Sequence, residues 1–520
     1  MFCFWLKVGI NLRSRWQLMT LKRWILAILT LVAVSFLGLS LLDSWTQPQI
    51  QSRLELYQTN LLLHASQWQG KEIEEDSLIT VRDNLIGKTP VKEAYKQYQQ
   101  VQESAEKSLA KVQENQAQIA PDSLKELQDL NQDLQLQIGI LQTQLDQPDA
   151  ALKTWNILLN SSKSKNNRDT TAETARVLTG LWQTPARLLP DAEPILQKQL
   201  EGWFRYQALV KLYTLQQRPE ALVALETQEQ QQAEQAFFKL MIVSAIPGMG
   251  LVLGLILAIV LGIQTLLKGK TSILATNMDV AWLIPWNGEI ILQVFVVGFS
   301  LLGQLVIPLT LRAIFQELHL HLNNFDVRTQ AVYILITYLL LMMGGFSVLY
   351  FSIKPYFPLP EGWFTFKIKD NWFFWGLGGY LVALPLVILV SLINQKLWDG
   401  QGGSNPLLPI ALESQDTVAL TIFFITASIA APLFEEIMFR GFLLPSLTRY
   451  LPLGSAIILS GFLFAAAHLN ISEILPLMTL GIVLGFVYTR SRNLLAPMFM
   501  HGLWNSGTLL SLYILGSGGS

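Results

Sequence analysis

Nine apolar stretches dominate the chain, and most are too long and too poor in charge to lie in water. A helix needs about 20 mostly apolar residues to cross roughly 30 Å of hydrocarbon. Trp24–Leu42, Leu240–Leu267, Ile290–Leu311, Ala331–Ile353 and Trp372–Ile393 meet that length. Val418–Phe434, running on toward Leu444, is the sixth, followed by Leu453–Leu469, Ile474–Tyr488 and Leu494–Ile514. The pattern predicts an all-α polytopic membrane helical bundle of about nine spans. The eighth is expected to be short, and Pro247, Gly248 and Gly250 are expected to kink or break the second.

Charge is distributed just as unevenly. Of 75 charged residues, 46 lie between Asp43 and Lys239. The average of 14% therefore joins a charge-poor membrane part to one aqueous insert. Mean hydropathy is +0.36 and net charge −1, which excludes a disordered chain and a basic nucleic-acid binder. Cys3 is the only cysteine, so no disulfide scaffold exists. The divisions expected are an anchor at 1–43, an extramembrane domain at 44–236, membrane helices at 237–394, a C-terminal membrane domain at 395–515 and a tail at 516–520.

The insert reads as all-helical. Leu124, Leu127, Leu130, Leu134, Ile138 and Leu141 recur at helical spacing. Gln147-Pro148-Asp149-Ala150-Ala151-Leu152 resembles Gln217-Arg218-Pro219-Glu220-Ala221-Leu222. Two helix–turn–helix units of about 34 residues would fit between them. The stretch thus resembles tetratricopeptide hairpins, with a groove for a protein partner, or it is a generic helical bundle. The polar segment 161–171 reads as a loop, and His64 as an ordinary helix residue.

Lys7, Arg13, Arg15, Lys22 and Arg23 precede the first run. Positive loop charge favours the cytoplasm, so the N-terminus is expected inside and the insert outside. No small-residue cleavage site follows Leu42, so the first run reads as an uncleaved anchor. Alternation then places Lys268, Lys270, Lys354, Lys367, Lys369, Arg449, Arg490 and Arg492 inside. His319 and His321, and Trp282, Trp286, Trp363, Trp372 and Trp375, read as interfacial residues.

Ionisable groups inside hydrocarbon are costly and mark function by default. The last four runs hold Glu435, Glu436, Arg440, His468, His501 and Asn505. At 1.5 Å rise per residue, Glu435, His468 and His501 reach similar depth on consecutive antiparallel helices. Glu436 and Arg440 are i, i+4, where acid and base pair, which leaves Glu435 free to face another group. His501 and Asn505 share a helix face by the same spacing, as do Phe464 and His468.

Glu435-Glu436-x-x-x-Arg440, Phe464-x-x-x-His468 and His501-x-x-x-Asn505, in that order, resemble the motifs of the CAAX-protease and bacteriocin-processing (CPBP) family. This family of intramembrane endopeptidases includes the CAAX prenyl endopeptidase and Abi proteins. The resemblance covers about Val418–Ile514 and none of the insert. It implies peptide-bond hydrolysis in membrane-associated proteins or peptides, with Glu435 and His468 activating water. His501 and Asn505 would stabilise the oxyanion, and Glu436, Arg440 and Phe464 would orient structure or substrate. No cofactor is required in that scheme. The alternative is the metalloprotease label that the family often carries, with zinc held by Glu435, His468 and His501; two histidines and a carboxylate suit it. A bacterial inner membrane is expected, or a thylakoid or plastid membrane. A non-catalytic scaffold of the same family is the competing function.

Overall fold

The computed structural model describes residues 21–46, 51–70, 80, 82, 85–114, 121–162, 170–319, 325–398 and 416–516. Cys3, the basic cluster Lys7–Arg15, most of the 161–171 segment, His321 and the 517–520 part of the tail lie outside them. Every regular element described is helical. The chain divides into two compact units. One comprises 1–44, 253–391 and 416–507, and the other 45–252, 392–415 and 508–520.

The membrane-type helices are α1 (Leu21–Thr46), α9 (Pro219–Lys268), α10 (Gly288–Glu317), α11 (Val327–Ile353), α12 (Trp372–Trp398), α13 (Thr417–Leu447), α14 (Leu453–Ala466), α15 (Ile474–Ser491) and α16 (Leu495–Gly516). Seven are long and apolar enough to cross a membrane, which makes this an integral membrane protein. The expected nine is corrected in two places. The short helix is the seventh, α14, with 14 residues, not the eighth. In α16, His501, Trp504 and Asn505 dilute the apolar run, so it falls outside the seven. Nor does Pro247 break the second run. α9 continues through it for 50 residues, as membrane helices can when the freed carbonyl finds other partners.

Hydrogen bonds sort the connections of the first unit onto two borders. Arg23, at the start of α1, pairs with Glu289 at 2.7 Å. Arg449 donates to the carbonyls of Ile284 and Trp286. Asn277 donates to the Arg490 carbonyl, and Asn493 to that of Lys367. On the other border, Ser44 accepts from the Ile471 N–H, and Arg328 pairs with Asp416. Asp416 accepts from the Val418 and Ala419 N–H groups and so caps α13. These bonds hold its carboxyl below the usual range, the one from Ala419 most.

The core of this unit is an aromatic ladder. Trp286 packs on Trp363 and Phe442, Phe442 on Phe295, Phe295 on Phe439, and Phe439 on Phe464. Trp282, Trp286 and Trp363 are therefore buried, not an exposed interfacial belt. α14 and α15 cross at Gly461 and Gly481. A Cβ on Gly481 would lie 2.9 Å from the Gly461 Cα, so only glycine allows this approach.

The second unit holds α2 (Gln51–Ala65), α3 (Pro90–Glu114), α4 (Pro121–Gln144), α5 (Pro148–Ser162), α6 (Thr170–Trp182), α7 (Ala192–Gln199) and α8 (Gly202–Leu215). From α3 onward each packs on the next, and α8 returns to α2. Leu134, Ile138 and Leu141 are buried with Trp155, Trp203 and Phe204.

The sequence repeat is a repeated turn. Asp146 and Gln217 both adopt positive φ. Gln147 N–H then donates to the Gln142 carbonyl, and Arg218 N–H to that of Tyr213. Each is a left-handed helix stop followed by proline opening the next helix. Two hairpins, α5–α6 and α7–α8, lie between the turns. His64 is not an ordinary helix residue: its Nδ1 lies 2.8 Å from the buried Glu229 carboxylate.

Candidate active site

α13, α14 and α16 supply the site. α13 is not a regular α-helix throughout. Thr426–Ala430 and Ile437–Leu443 are wound as π-helix on either side of Glu435-Glu436. Such widened turns recur at functional sites. Here they flank the two acids and carry Arg440.

Glu436 and Arg440 are both fully buried, and Arg440 Nη1 donates to Glu436 Oε1 at 2.7 Å. The same Oε1 lies 2.8 Å from His501 Nδ1. Arg440 Nη2 donates to the Gly481 carbonyl, and its guanidinium stacks 4.4 Å from the Phe464 ring centre. Glu436 is thus the hub that fixes both Arg440 and the His501 ring.

Glu435 is placed differently. Tyr338 of α11 donates to its Oε1 at 3.1 Å. Its Oε2 is buried without a hydrogen-bond partner among the described residues and lies 3.9 Å from His501 Nε2. His501 therefore stands between the two acids, with Nδ1 on Glu436 and Nε2 toward Glu435. Because Nδ1 faces a carboxylate, it carries a proton.

Phe464 packs edge-on against both imidazoles, with ring centres 5.0 Å from His468 and 5.6 Å from His501. His468 Nδ1 is 2.9 Å from the Phe464 carbonyl, so it too is a donor, and Nε2 is left outside that bond. No hydrogen bond joins His468 to Glu435, Glu436 or His501. Asn505 donates to the Ala427 carbonyl at 2.7 Å, which leaves its second N–H and its carbonyl oxygen.

Two polar residues escaped the sequence reading. One is Tyr338. The other is Gln304 of α10, which donates to the Ala467 carbonyl, next to His468. Both are polar groups inside apolar runs, and that is the signal that would have found them.

Among the described residues no three His, Cys, Asp or Glu side chains come together as a metal-holding group. His501 Nδ1 is held by Glu436 and His468 Nδ1 by a backbone carbonyl, which leaves the Nε2 atom of each ring.

The fold and this cluster define a polytopic membrane protein with a buried carboxylate–imidazole site among its C-terminal helices. Residues 417–507 match the family described as type II CAAX prenyl endopeptidase Rce1-like. The Bacillus subtilis (strain 168) protein named "Putative membrane peptidase YdiL" is 26% identical over 132 residues, 25% of this chain and 53% of that protein. The chain thus spans about half the length of the curated relative it matches. No solved structure matches. The family likeness is confined to this C-terminal membrane segment.

Proposed function

We propose that this protein is an intramembrane endopeptidase that hydrolyses peptide bonds in membrane-associated proteins or peptides. The observation that carries the proposal is the unpartnered Glu435 Oε2 facing His501 Nε2 across 3.9 Å. A water about 2.8 Å from each atom fits that separation, with the two contacts about 90° apart.

Glu435 is the general base, its other oxygen anchored by Tyr338. His468 presents Nε2 as the second proton acceptor. His501 stabilises the oxyanion as an imidazolium, because its neutral form keeps the one N–H on Glu436. Asn505 offers its free N–H beside it. One oxyanion donor of this kind contributes about 2.7–4 kcal/mol. Glu436, Arg440 and Phe464 position the imidazoles.

The test is cleavage of a membrane-anchored peptide library by the purified chain. Glu435→Gln abolishes turnover while the protein stays folded, and retained turnover removes the proposal. Metal stripping leaves turnover unchanged. The scaffold alternative predicts a cellular phenotype that survives Glu435→Gln but not deletion of the insert. The insert as a partner-binding domain and the bacterial inner membrane as the site of action belong to the same proposal.

A further inference from the structure

At the border marked by Trp282 and Trp286, two arginines close α15 and behave in opposite ways. Arg492 sits in the left-handed conformation at the helix stop, and its Nε and Nη2 are held by backbone carbonyls. It donates to the carbonyls of Thr489, Asn277 and Val280 and lies 3.4 Å over the Trp282 ring. It therefore pins segment 277–282 onto the end of the helix.

Arg490, two residues back, is 6% exposed. Its guanidinium lies 4.7 Å over Phe486, yet its Nε and Nη1 are buried with no hydrogen-bond partner among the described residues. The Asn277 side chain and the Arg490 backbone carbonyl hold the strand of chain beside it.

A buried cation without an acceptor is strongly unfavourable. The negative end of α15 offsets part of that cost but accepts none of these N–H bonds. Asp279, exposed, is the acid that acts on Arg490, and it makes no ion pair with it. A planar fork of donors suits a carboxylate or a phosphate.

The site's place selects the source. Trp282 stacks on Tyr488 at the end of a membrane helix. Lys268, Lys270, Lys367 and Lys369 are exposed on connections that meet this turn or lead into it. This is also the border that loop charge assigns to the cytoplasm, where anionic lipids attract basic residues.

We propose that Arg490 is the floor of a phosphate-binding site that takes the headgroup of an anionic phospholipid at this border. The inference is independent of the proteolytic reading. The test is native mass spectrometry of the full chain from nanodiscs of phosphatidylcholine with or without phosphatidylglycerol. The wild type retains one phosphatidylglycerol in preference to phosphatidylcholine. Arg490→Gln lowers that retention about tenfold or more, as expected for a lost charge-assisted bond. Asp279→Asn raises it, and Lys270→Gln leaves it unchanged.

Equal retention of the two lipids, or equal retention by wild type and Arg490→Gln, overturns the site. Release by millimolar inorganic phosphate overturns the lipid source and leaves a free-phosphate site. Should Arg490→Gln fail to fold, Asp279→Asn decides alone, and an unchanged retention there overturns the proposal.

Discussion

The two adjacent glutamates are chemically identical, and their surroundings assign them opposite consequences on substitution. Glu436 has no exposed surface, faces a fully buried Arg440 at 2.7 Å and holds His501 at 2.8 Å. Glu436→Gln keeps shape and an acceptor oxygen but removes the carboxylate that Arg440 touches, leaving only Glu435 to balance its charge. Breaking a buried pair in this way costs about 3–5 kcal/mol, and the retained amide acceptor puts the expected loss near the lower figure. Glu435 accepts one hydrogen bond, from Tyr338, which glutamine can also accept. Its replacement is expected to cost under about 1 kcal/mol. The two variants should therefore differ by at least about 2 kcal/mol, or about thirtyfold in the unfolding equilibrium. SDS titration of bicelle-reconstituted protein measures this, with peptide cleavage followed in the same samples. Both variants lose turnover, but only Glu436→Gln loses stability. The double change Glu436→Leu/Arg440→Met restores stability, because apolar groups replace the whole pair, and leaves activity absent. Equal stability of the two single variants would refute the assignment of Glu436 as the structural hub.

Tyr338→Phe removes the anchor of Glu435. It lowers kcat about tenfold with KM unchanged, read in steady-state cleavage kinetics. Gly481→Leu places a side chain where a Cβ already lies 2.9 Å from Gly461; overpacking of this kind costs about 1–3 kcal/mol or more, seen as loss of the monodisperse peak in size exclusion. In the insert, burial holds the Glu55 carboxyl above its ordinary range, against its bonds from Gln97 and Gln395. A carboxyl raised in the folded state favours folding most when protonated, and that contribution is lost as pH rises through the raised value. Glu55→Gln therefore raises the melting temperature at pH 7 and has little effect near pH 4, as differential scanning fluorimetry would record.

How far the site was legible depended on how each residue announces itself. Ionisable side chains in apolar runs are conspicuous, so Glu435, Glu436, Arg440, His468 and His501 stood out from composition alone, and i, i+4 spacing anticipated the Glu436–Arg440 pair. That spacing could not show that His501 would bridge the two acids. The bridge depends on α16 facing α13 across 65 residues of chain. Tyr338 and Gln304 were passed over because neither carries charge. The π-turns of α13 were invisible because widening a helix by one residue per turn leaves the apolar run unbroken. Span counting failed where length and polarity compete: α14 is short because it ends before His468, and α16 is polar because it carries His501 and Asn505.

The same competition explains why the chemistry sits where it does. A buried carboxylate pair needs a guanidinium to stay charged, and a guanidinium buried in hydrocarbon needs both a carboxylate and an acceptor carbonyl. Gly481 supplies that carbonyl to Arg440 at the point where α14 and α15 touch through two glycines. The close crossing thus brings a backbone acceptor to Arg440, Arg440 steadies Glu436, and Glu436 turns His501 so that Nε2 meets Glu435. Packing and the geometry of the proposed site are linked through this chain of contacts. A substitution at the glycine crossing should therefore disturb the His501 ring before it disturbs the rest of the bundle. The imidazole Nδ1–H resonance, far downfield when held by a buried carboxylate, should weaken in Gly461→Ala while helical content is unchanged. An undisturbed resonance in a folded Gly461→Ala protein would show that the crossing and the site are independent.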